Sequence, residues 1–535
     1  MTDRPTRATR PTAQPTHRAL DLRLGIDVGG TNTDAVVLDR DDRLLAKAKS
    51  PTTPDVTGGI ENAVDAVLAA GHVDRARITH AMLGTTHATN AVLERRRLHR
   101  VAILRIGAPA TLSVRPLLTW PQDLIDVVSG GATIVRGGIE LDGREIVPLD
   151  TDAIRAFLTP LRGTVDAVAI TCVFAPVSDR HELVAAQVAR EVMGPDVHLS
   201  LSHELGALGI LERENSTILN GALLGVAREV AGTLRGALDH RGVHARLFFA
   251  QNDGTLMALE HALRFPVLTI GSGPANSLRG AAYLTGRPDA IVIDVGGTST
   301  DIGVLVGGFP RESSQAVEIG GIRTNFRMPD IVSIAVGGGT IVRDGSIGPD
   351  SVAWRISTEA LAFGGATPTL TDAALLAGRA RDIGHVVPAP DGPHAARLAA
   401  GLSLADAAVA DAIDRVKTSR ADVPLITVGG GSVILDARIP GVSEVLRPKD
   451  HDVANAIGAA IAAVSGSAEE VVHFRARGHA DAVAAIGARA REAAIAAGAD
   501  PARVTVVDVE ETPLTYLMEP AARIRVKAAG PLAVD

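Results

Sequence analysis

Cysteine is nearly missing from this chain: Cys172 stands alone in 535 residues. One thiol cannot form a disulfide within the chain or a cysteine metal cluster, and the C-x-x-C pattern of iron–sulfur activators is absent. A reducing compartment is expected. Aromatic residues make up only 2%, too few for the stacking platforms that grip bases or sugars. A basic surplus is lacking as well. The net charge of −8 and pI near 6.1 argue against nucleic acid as a partner. No apolar run approaches the ~20 residues that cross a bilayer. The opening "MTDRPTRATRPTAQPTHRAL" lacks the apolar stretch of a secretory signal. Residues 1–20 are expected to be a disordered tail, and the protein cytoplasmic.

The chain is too long for one core, since domains usually hold roughly 100–200 residues. Its 46% hydrophobic residues are mainly small and aliphatic. Strand-like runs occur at "RVAILRI" and "VDAVAITCVF". A long helix is expected from about Leu211 to Leu238. The segment "SDRHELVAAQVAREVMG" opens with a capping signal, Ser178 and Asp179 followed by Glu182. From about Ala468 a strand, an Ala-rich helix and two strands suggest a small separate unit. The expected domains are 21–205 with an insertion, 206–466, and a C-terminal α+β unit at 467–535.

The strongest signal is a repeated turn. Ile26–Asp34 reads IDVGGTNTD and Ile293–Asp301 reads IDVGGTSTD. Gly29-Gly30 and Gly296-Gly297 permit sharp turns between strands. Successive backbone N–H groups there suit an anion. Thr31, Thr33, Thr298, Ser299 and Thr300 add hydroxyls, and Asp301 closes the second copy. A carboxylate beside phosphate makes sense if it holds hydrated Mg²⁺ or orients a water or hydroxyl, which is the expectation for Asp27 and Asp294. A hairpin alone explains the glycines, but not the same acid before them and the same Thr-x-Thr-Asp after them. Two related lobes aiming both turns at one polyphosphate would explain the duplication. Both turns lead into a further strand rather than a helix, which disfavours a dinucleotide fingerprint, and no G-x-x-x-x-G-K-[ST] is present.

Other segments offer candidates. "GTTHATNAVLER" places Thr85, Thr86 and His87 at a helix start, with Asn90 one turn inside. These could touch substrate or phosphate, or simply cap the helix. His87 could shuttle a proton. Asn252 and Asp253 lie in a turn after "FFAQ" and could reach substrate. Glu212–Glu214 reads as a solvated charged face. "VGGGT" at Val336–Thr340 could line the same cleft or make a sharp turn.

Two phosphate-type hairpins followed by a turn at Gly429, Gly430, Gly431 and Ser432 resemble the actin, sugar-kinase and heat-shock-protein 70 superfamily. The implied fold is α/β, with two actin-like (ribonuclease H-like) ATPase domains facing a nucleotide cleft. Within it the chain resembles the hydantoinase/oxoprolinase A-subunit family, from about Leu24 to Gly466. "GIDVGGTNTDAVVLD", "LGTTHATNAVLER", "LSHELGALGILERENSTILN", "FFAQNDGTLM", "GSGPA", "IDVGGTSTDIG", "PTLTDA" and "TVGGGSVIL" carry the likeness. It implies ATP and Mg²⁺ as cofactors, and ATP-dependent hydrolysis of a hydantoin, oxoproline-like lactam or related imide. The glycine turn at Gly429–Ser432 would grip adenosine. A separately encoded second subunit is implied, and a homo-oligomer is possible. The rivals are a ketone-carboxylase subunit, a small-molecule kinase and a non-catalytic reactivase. The run Pro-Gly-Pro-Ala-Cys-Tyr of longer members is missing.

Overall fold

The computed structural model describes residues 22–533, apart from 54–55, 207, 314–316, 326–327, 382, 387, 390–391, 476 and 515–518. The expected tail at 1–20 lies outside the described residues.

Three main sheets organise the chain. The first has nine strands, in the order Thr505–Pro513, Ala521–Gly530, Val464–His473, Leu256–Ala258, Arg246–Ala250, Ile78–Thr85, Leu22–Val28, Asn32–Leu38 and Leu44–Pro51. Its middle is apolar on both faces, as parallel strands covered by helices must be. Ile26, Leu83 and Phe249 are buried against Ile60, Val64 and Val67 of helix Val56–Ala70 and Leu219, Leu223 and Leu234 of helix Ile210–Asp239. That thirty-residue helix spans the stretch expected at about 211–238.

A second sheet centres on Thr300–Val306, Ala290–Val295, Val423–Val428 and Val442–Leu446. Helix Ala395–Val416 packs on it through Leu398, Leu402, Val409 and Ile413. A third sheet lies within residues 101–201, ahead of the long helix. Its four strands, ordered Ser129–Arg136, Val101–Ala108, Ala167–Cys172 and His198–Leu201, are all parallel. Helices Thr151–Leu158 and Arg180–Met193 cover its core.

Sheet membership cuts across the boundaries drawn at 205 and 466. Strand Arg246–Ala250 pairs in parallel with Ile78–Thr85, so the chain returns to the first lobe after the long helix. Leu256 then pairs with Val464, and Val464–His473 pairs with Ala521–Gly530. The C-terminal strands therefore continue the first sheet. Its helix His479–Ala496 buries Ile486 and Ala490 against Ile524 and Val526. Non-local parallel pairing leaves no local signal, which is why composition suggested a separate unit.

Two polar expectations also change. Arg213 and Glu214 are buried rather than solvated. Glu214 takes both ends of the buried Arg105 guanidinium, at 2.7 Å from Nε and again through the second nitrogen. Glu182 does not cap its helix. It is buried, accepting from the Cys172 N–H at 2.7 Å, the His203 N–H at 3.0 Å and the Ser202 hydroxyl.

The two lobes are joined by a close helix crossing. A Cβ on Gly458 of helix Ala454–Ile461 would lie 1.9 Å from the Asn276 carbonyl oxygen. One on Gly280 of helix Ser272–Thr285 would lie 1.9 Å from that of Ala454. Only glycine lets these backbones approach so closely.

Candidate functional site

The two copies of the repeated turn fold alike. Asp27 stands opposite Asp34 and Val28 opposite Thr33; in the second lobe Asp294 opposes Asp301 and Val295 opposes Thr300. The Gly29 N–H donates to the Asn32 carbonyl at 3.0 Å, and the Gly296 N–H to that of Ser299 at 2.9 Å. A parallel strand flanks each hairpin and brings a glycine beside the leading acid, Gly84 opposite Asp27 and Gly429 just after Val428, which pairs with Asp294. A Cβ on Gly84 would fall 2.2 Å from Asp27 Oδ1, and one on Gly429 2.2 Å from Asp294 Oδ1. The segments "GTTH" and "GGGS" thus each bring a glycine against the leading acid of their lobe, one residue apart in register.

The hairpin tips meet. A Cβ on Gly297 would lie 2.7 Å from Thr31 Oγ1. A cleft of about 380 Å³ opens between them, lined by Gly29, Gly30, Thr31, Gly296, Gly297, Thr298, Ser299, Asp301 and Gly429, Gly430, Gly431, with Asp27 and Asp294 at its floor. The second triple glycine does both things open to it. Gly338 lines the cleft, while the Gly338 and Gly339 N–H groups donate to the Gly296 and Gly297 carbonyls at 3.0 and 2.7 Å.

Adjacent residues of one helix reach both acids. Asn276 Nδ2 donates to Asp27 at 3.4 Å, and the Ser277 hydroxyl donates to Asp294. Asn455 Nδ2 also donates to Asp27, at 2.9 Å, and Lys49 Nζ pairs with Asp34. Burial, then the charges of Asp34 and Asp294, push the Asp27 carboxyl up to about 7. Burial raises Asp294 as well, against the Ser277 hydrogen bond. Asp301 is pushed up to about 6 by burial and by the Asp294 charge, against the Ser333 hydroxyl. Four acids therefore share the cleft floor, Asp27 and Asp34 buried and Asp294 and Asp301 half-buried, with Lys49 as the cation paired to Asp34. No cluster of three or more classical metal ligands occurs among the described residues. The Asn276 Oδ1 is nevertheless a buried acceptor with no hydrogen-bond partner beside Asp27. One or two carboxylates plus such an oxygen fit a hydrated divalent cation that takes its other ligands from phosphate.

This electrostatic load has a stability signature. Asp27 ordinarily titrates near 3.8 and here near 7, so between those values the native state keeps a proton that the unfolded chain has lost. Its stabilising effect is complete below about pH 4 and disappears as pH rises through 7. Without ligand or metal, wild-type protein loses roughly 2–4 kcal/mol from this group between pH 4 and 8. The Asp27→Asn variant should lack that loss, read as a smaller fall in thermal midpoint over the range.

Several candidates sit elsewhere. Thr33 and Thr300 are fully buried on the opposite face of their strands, and Thr300 donates to the Val336 carbonyl. Strand alternation explains this: Asn32, Asp34, Ser299 and Asp301 face the cleft, and the residues between them do not. Ser432 is buried and lies 3.3 Å from His451 Nδ1. Thr86 lines the cleft, but with His87 and Asn90 it also lines a neighbouring cavity of about 190 Å³ behind the first hairpin. Thr85 is buried, its hydroxyl hydrogen-bonded to His87 Nδ1. Burial, then the Arg97 charge, lower the His87 pKa to about 4, so the imidazole is neutral near pH 7. Asn252 and Asp253 line a third cavity, and Asp253 pairs with Lys527 at 2.7 Å. Sequence reasoning missed Asp34, Lys49, Asn276, Ser277 and Asn455. Asp34 was legible as the counterpart of Asp301; the helix-borne partners were not.

A duplicated hairpin in each of two lobes, with a shared cleft between them, defines a two-lobed actin-like fold. The nucleotide-free acetone carboxylase structure superposes with a TM-score of 0.69 at 16% identity, over 95% of this chain and 88% of that one. The ATP-dependent caprolactamase of Pseudomonas jessenii gives 0.75 at 22%, over 96% and 88%. Family models described as hydantoinase/oxoprolinase N-terminal region and hydantoinase/oxoprolinase match residues 23–193 and 213–400, and the chain belongs to that family. Among curated relatives, caprolactamase subunit alpha of Pseudomonas jessenii is 28% identical over 84% of this chain and 67% of its own length. The acetophenone carboxylase gamma subunit of Aromatoleum aromaticum is 28% identical over 66% of this chain. The chain spans 53% of that relative's length. Among the described residues, no helix is long and apolar enough to cross a membrane.

Proposed function

We propose that this protein binds ATP between the two hairpins and uses it to open a cyclic amide, as one subunit of a complex. The carrying observation is the meeting of Gly297 and Thr31 over one cleft. A single phosphate chain lying there would be held from both lobes. Turn amides at Gly30, Thr31, Gly297 and Thr298, with the Thr31 and Thr298 hydroxyls, would take the charge developing on the transferred phosphoryl group. Gly429–Gly431, the counterpart of the first lobe's "GTTH", would carry the adenosine side. Asp27 and Asp294 would hold Mg²⁺, which supplies charge neutralisation at the phosphates. Asn276, Ser277 and Asn455 hold those two carboxylates and favour their ionised forms against burial.

A cyclic amide resists water because nitrogen donates into its carbonyl. Attack of the amide oxygen on the γ-phosphorus breaks the bond to ADP and makes the carbon electrophilic. Water then adds to that carbon, the ring C–N bond breaks, and the nitrogen leaves with a proton. A second water releases phosphate from the resulting acyl phosphate. One ring, one ATP and two waters give an amino acid, ADP and phosphate.

The caprolactamase relative supports the amide reading through its coverage of this chain. The acetophenone and acetone carboxylase relatives support a second reading, in which the same machinery activates a carboxylation. Phosphate release by the protein with its partner subunit separates them. The amide reading expects several-fold stimulation by a lactam or hydantoin, with ring-opened product and no bicarbonate requirement. Stimulation only by a ketone with bicarbonate would overturn it.

A further inference from the structure

A cavity of about 520 Å³ lies apart from the phosphate cleft and shares no lining residue with it. Helix Ser272–Thr285 stands between them. Its Asn276 and Ser277 reach the cleft acids, while a Cβ on Gly254, next to the second cavity, would touch its Ala275 and Arg279.

Three observations describe the chemistry of this cavity. Arg523, Arg525 and Lys527 alternate with the buried Ala522, Ile524 and Val526, so one strand presents three cations in a row on the face opposite its core. Lys527 is bound to Asp253 at 2.7 Å and Glu312 at 3.2 Å. The two arginines are held more loosely: Arg523 donates to the Thr512 hydroxyl at 3.3 Å and lies 3.7 Å from Glu510, and Arg525 lies 3.9 Å from Glu312. Asn252, only 4% exposed, lines the cavity, and its Nδ2 has no hydrogen-bond partner. A buried donor without an acceptor is costly unless something supplies one. Finally, His203 lines the cavity with its Nδ1 tied to the buried Glu182 at 2.6 Å, which leaves Nε2 as the ring atom for a ligand. Burial depresses this histidine, but the Glu182 hydrogen bond and charge outweigh it and raise its pKa, favouring the imidazolium. Four acids also line the wall: Asp253 pairs with Lys527, Glu204 with Arg264, Glu212 lies 3.9 Å from Arg323, and Glu469 stands cross-strand from Arg525.

We propose that this cavity is a second ligand site that binds a small carboxylate, its oxygens taken by Asn252 Nδ2, Arg523 and Arg525, with His203 beside them. It is independent of the nucleotide reading, since its residues belong to neither hairpin.

Butyrate, 4-aminobutyrate and butyramide are probes of one chain length that differ in charge. Binding to the full chain is measured by calorimetry or ligand-observed NMR. Butyrate and 4-aminobutyrate should bind, and butyramide about tenfold more weakly, the worth of one charge-assisted hydrogen bond. Asn252→Leu and Arg525→Gln should each weaken butyrate about tenfold, while leaving the affinity for a non-hydrolysable ATP analogue unchanged, which also certifies the fold. Equal binding of butyramide, butyrate affinity unaffected by either variant, or no binding of any probe would overturn the proposal. Loss of ATP-analogue binding by wild type would instead sink the nucleotide reading alone.

Discussion

On the proposed function, Asp294→Ala is expected to lower ATP turnover by roughly 10²–10⁴-fold, the scale of losing a positioned charged group in the transition state, while the fold survives. The structural half follows from burial. Asp294 is half-buried, its pKa raised chiefly by desolvation, and its hydrogen bond to Ser277 is one that the hydroxyl can replace with water in the cleft. Removing it relieves a desolvation cost rather than breaking a core. The functional half follows from position. Asp294 stands where the second hairpin and Gly429 converge, matched in the first lobe by Asp27 beside Gly84. Turnover is measured by phosphate release and folding by thermal melting. A variant that keeps its melting temperature and more than a tenth of its turnover would contradict the role given to this acid.

The second large effect is on stability. Gly458→Ala places a methyl 1.9 Å from the Asn276 carbonyl oxygen, backbone against backbone, where no side chain can swing away. Alanine is worth about 1 kcal/mol over glycine inside a helix. Forcing apart a close-packed crossing costs about 1–3 kcal/mol, occasionally more, so net loss is expected. Turnover should fall with it, because the helix carrying Asn276 and Ser277 moves relative to the acids they orient. Gly232, in helix Ile210–Asp239 with nothing within 4 Å of its missing Cβ, is the control. Gly232→Ala should stabilise by roughly 0.5–1 kcal/mol. If both variants shift the melting temperature alike, the crossing is not the constraint described.

The hairpins were legible because the same nine-letter pattern recurs, and matching letters produced matching registers down to the Asp–Asp pairing. The assignment of Thr33 and Thr300 to the cleft failed on a rule also legible in the sequence. In the strands Asn32–Leu38 and Thr300–Val306, the residue before Asp34 or Asp301 must face the other way. What no local pattern could reveal is the company of the acids. Asn276, Ser277 and Asn455 look like ordinary polar helix residues until the helix crossing at Gly280 and Gly458 brings them over the hairpins. Likewise Glu212–Glu214 read as a solvated face because charge patterning is local, whereas Arg105, the residue that buries Glu214, comes from a strand more than a hundred positions earlier.

The central claim is that one triphosphate lies between two lobes. A crystal structure with Mg²⁺ and a non-hydrolysable ATP analogue measures this directly. The account predicts β- and γ-phosphates in contact with both Gly29–Thr31 and Gly296–Thr298. A nucleotide bound through one hairpin alone, or in another cavity, would contradict it.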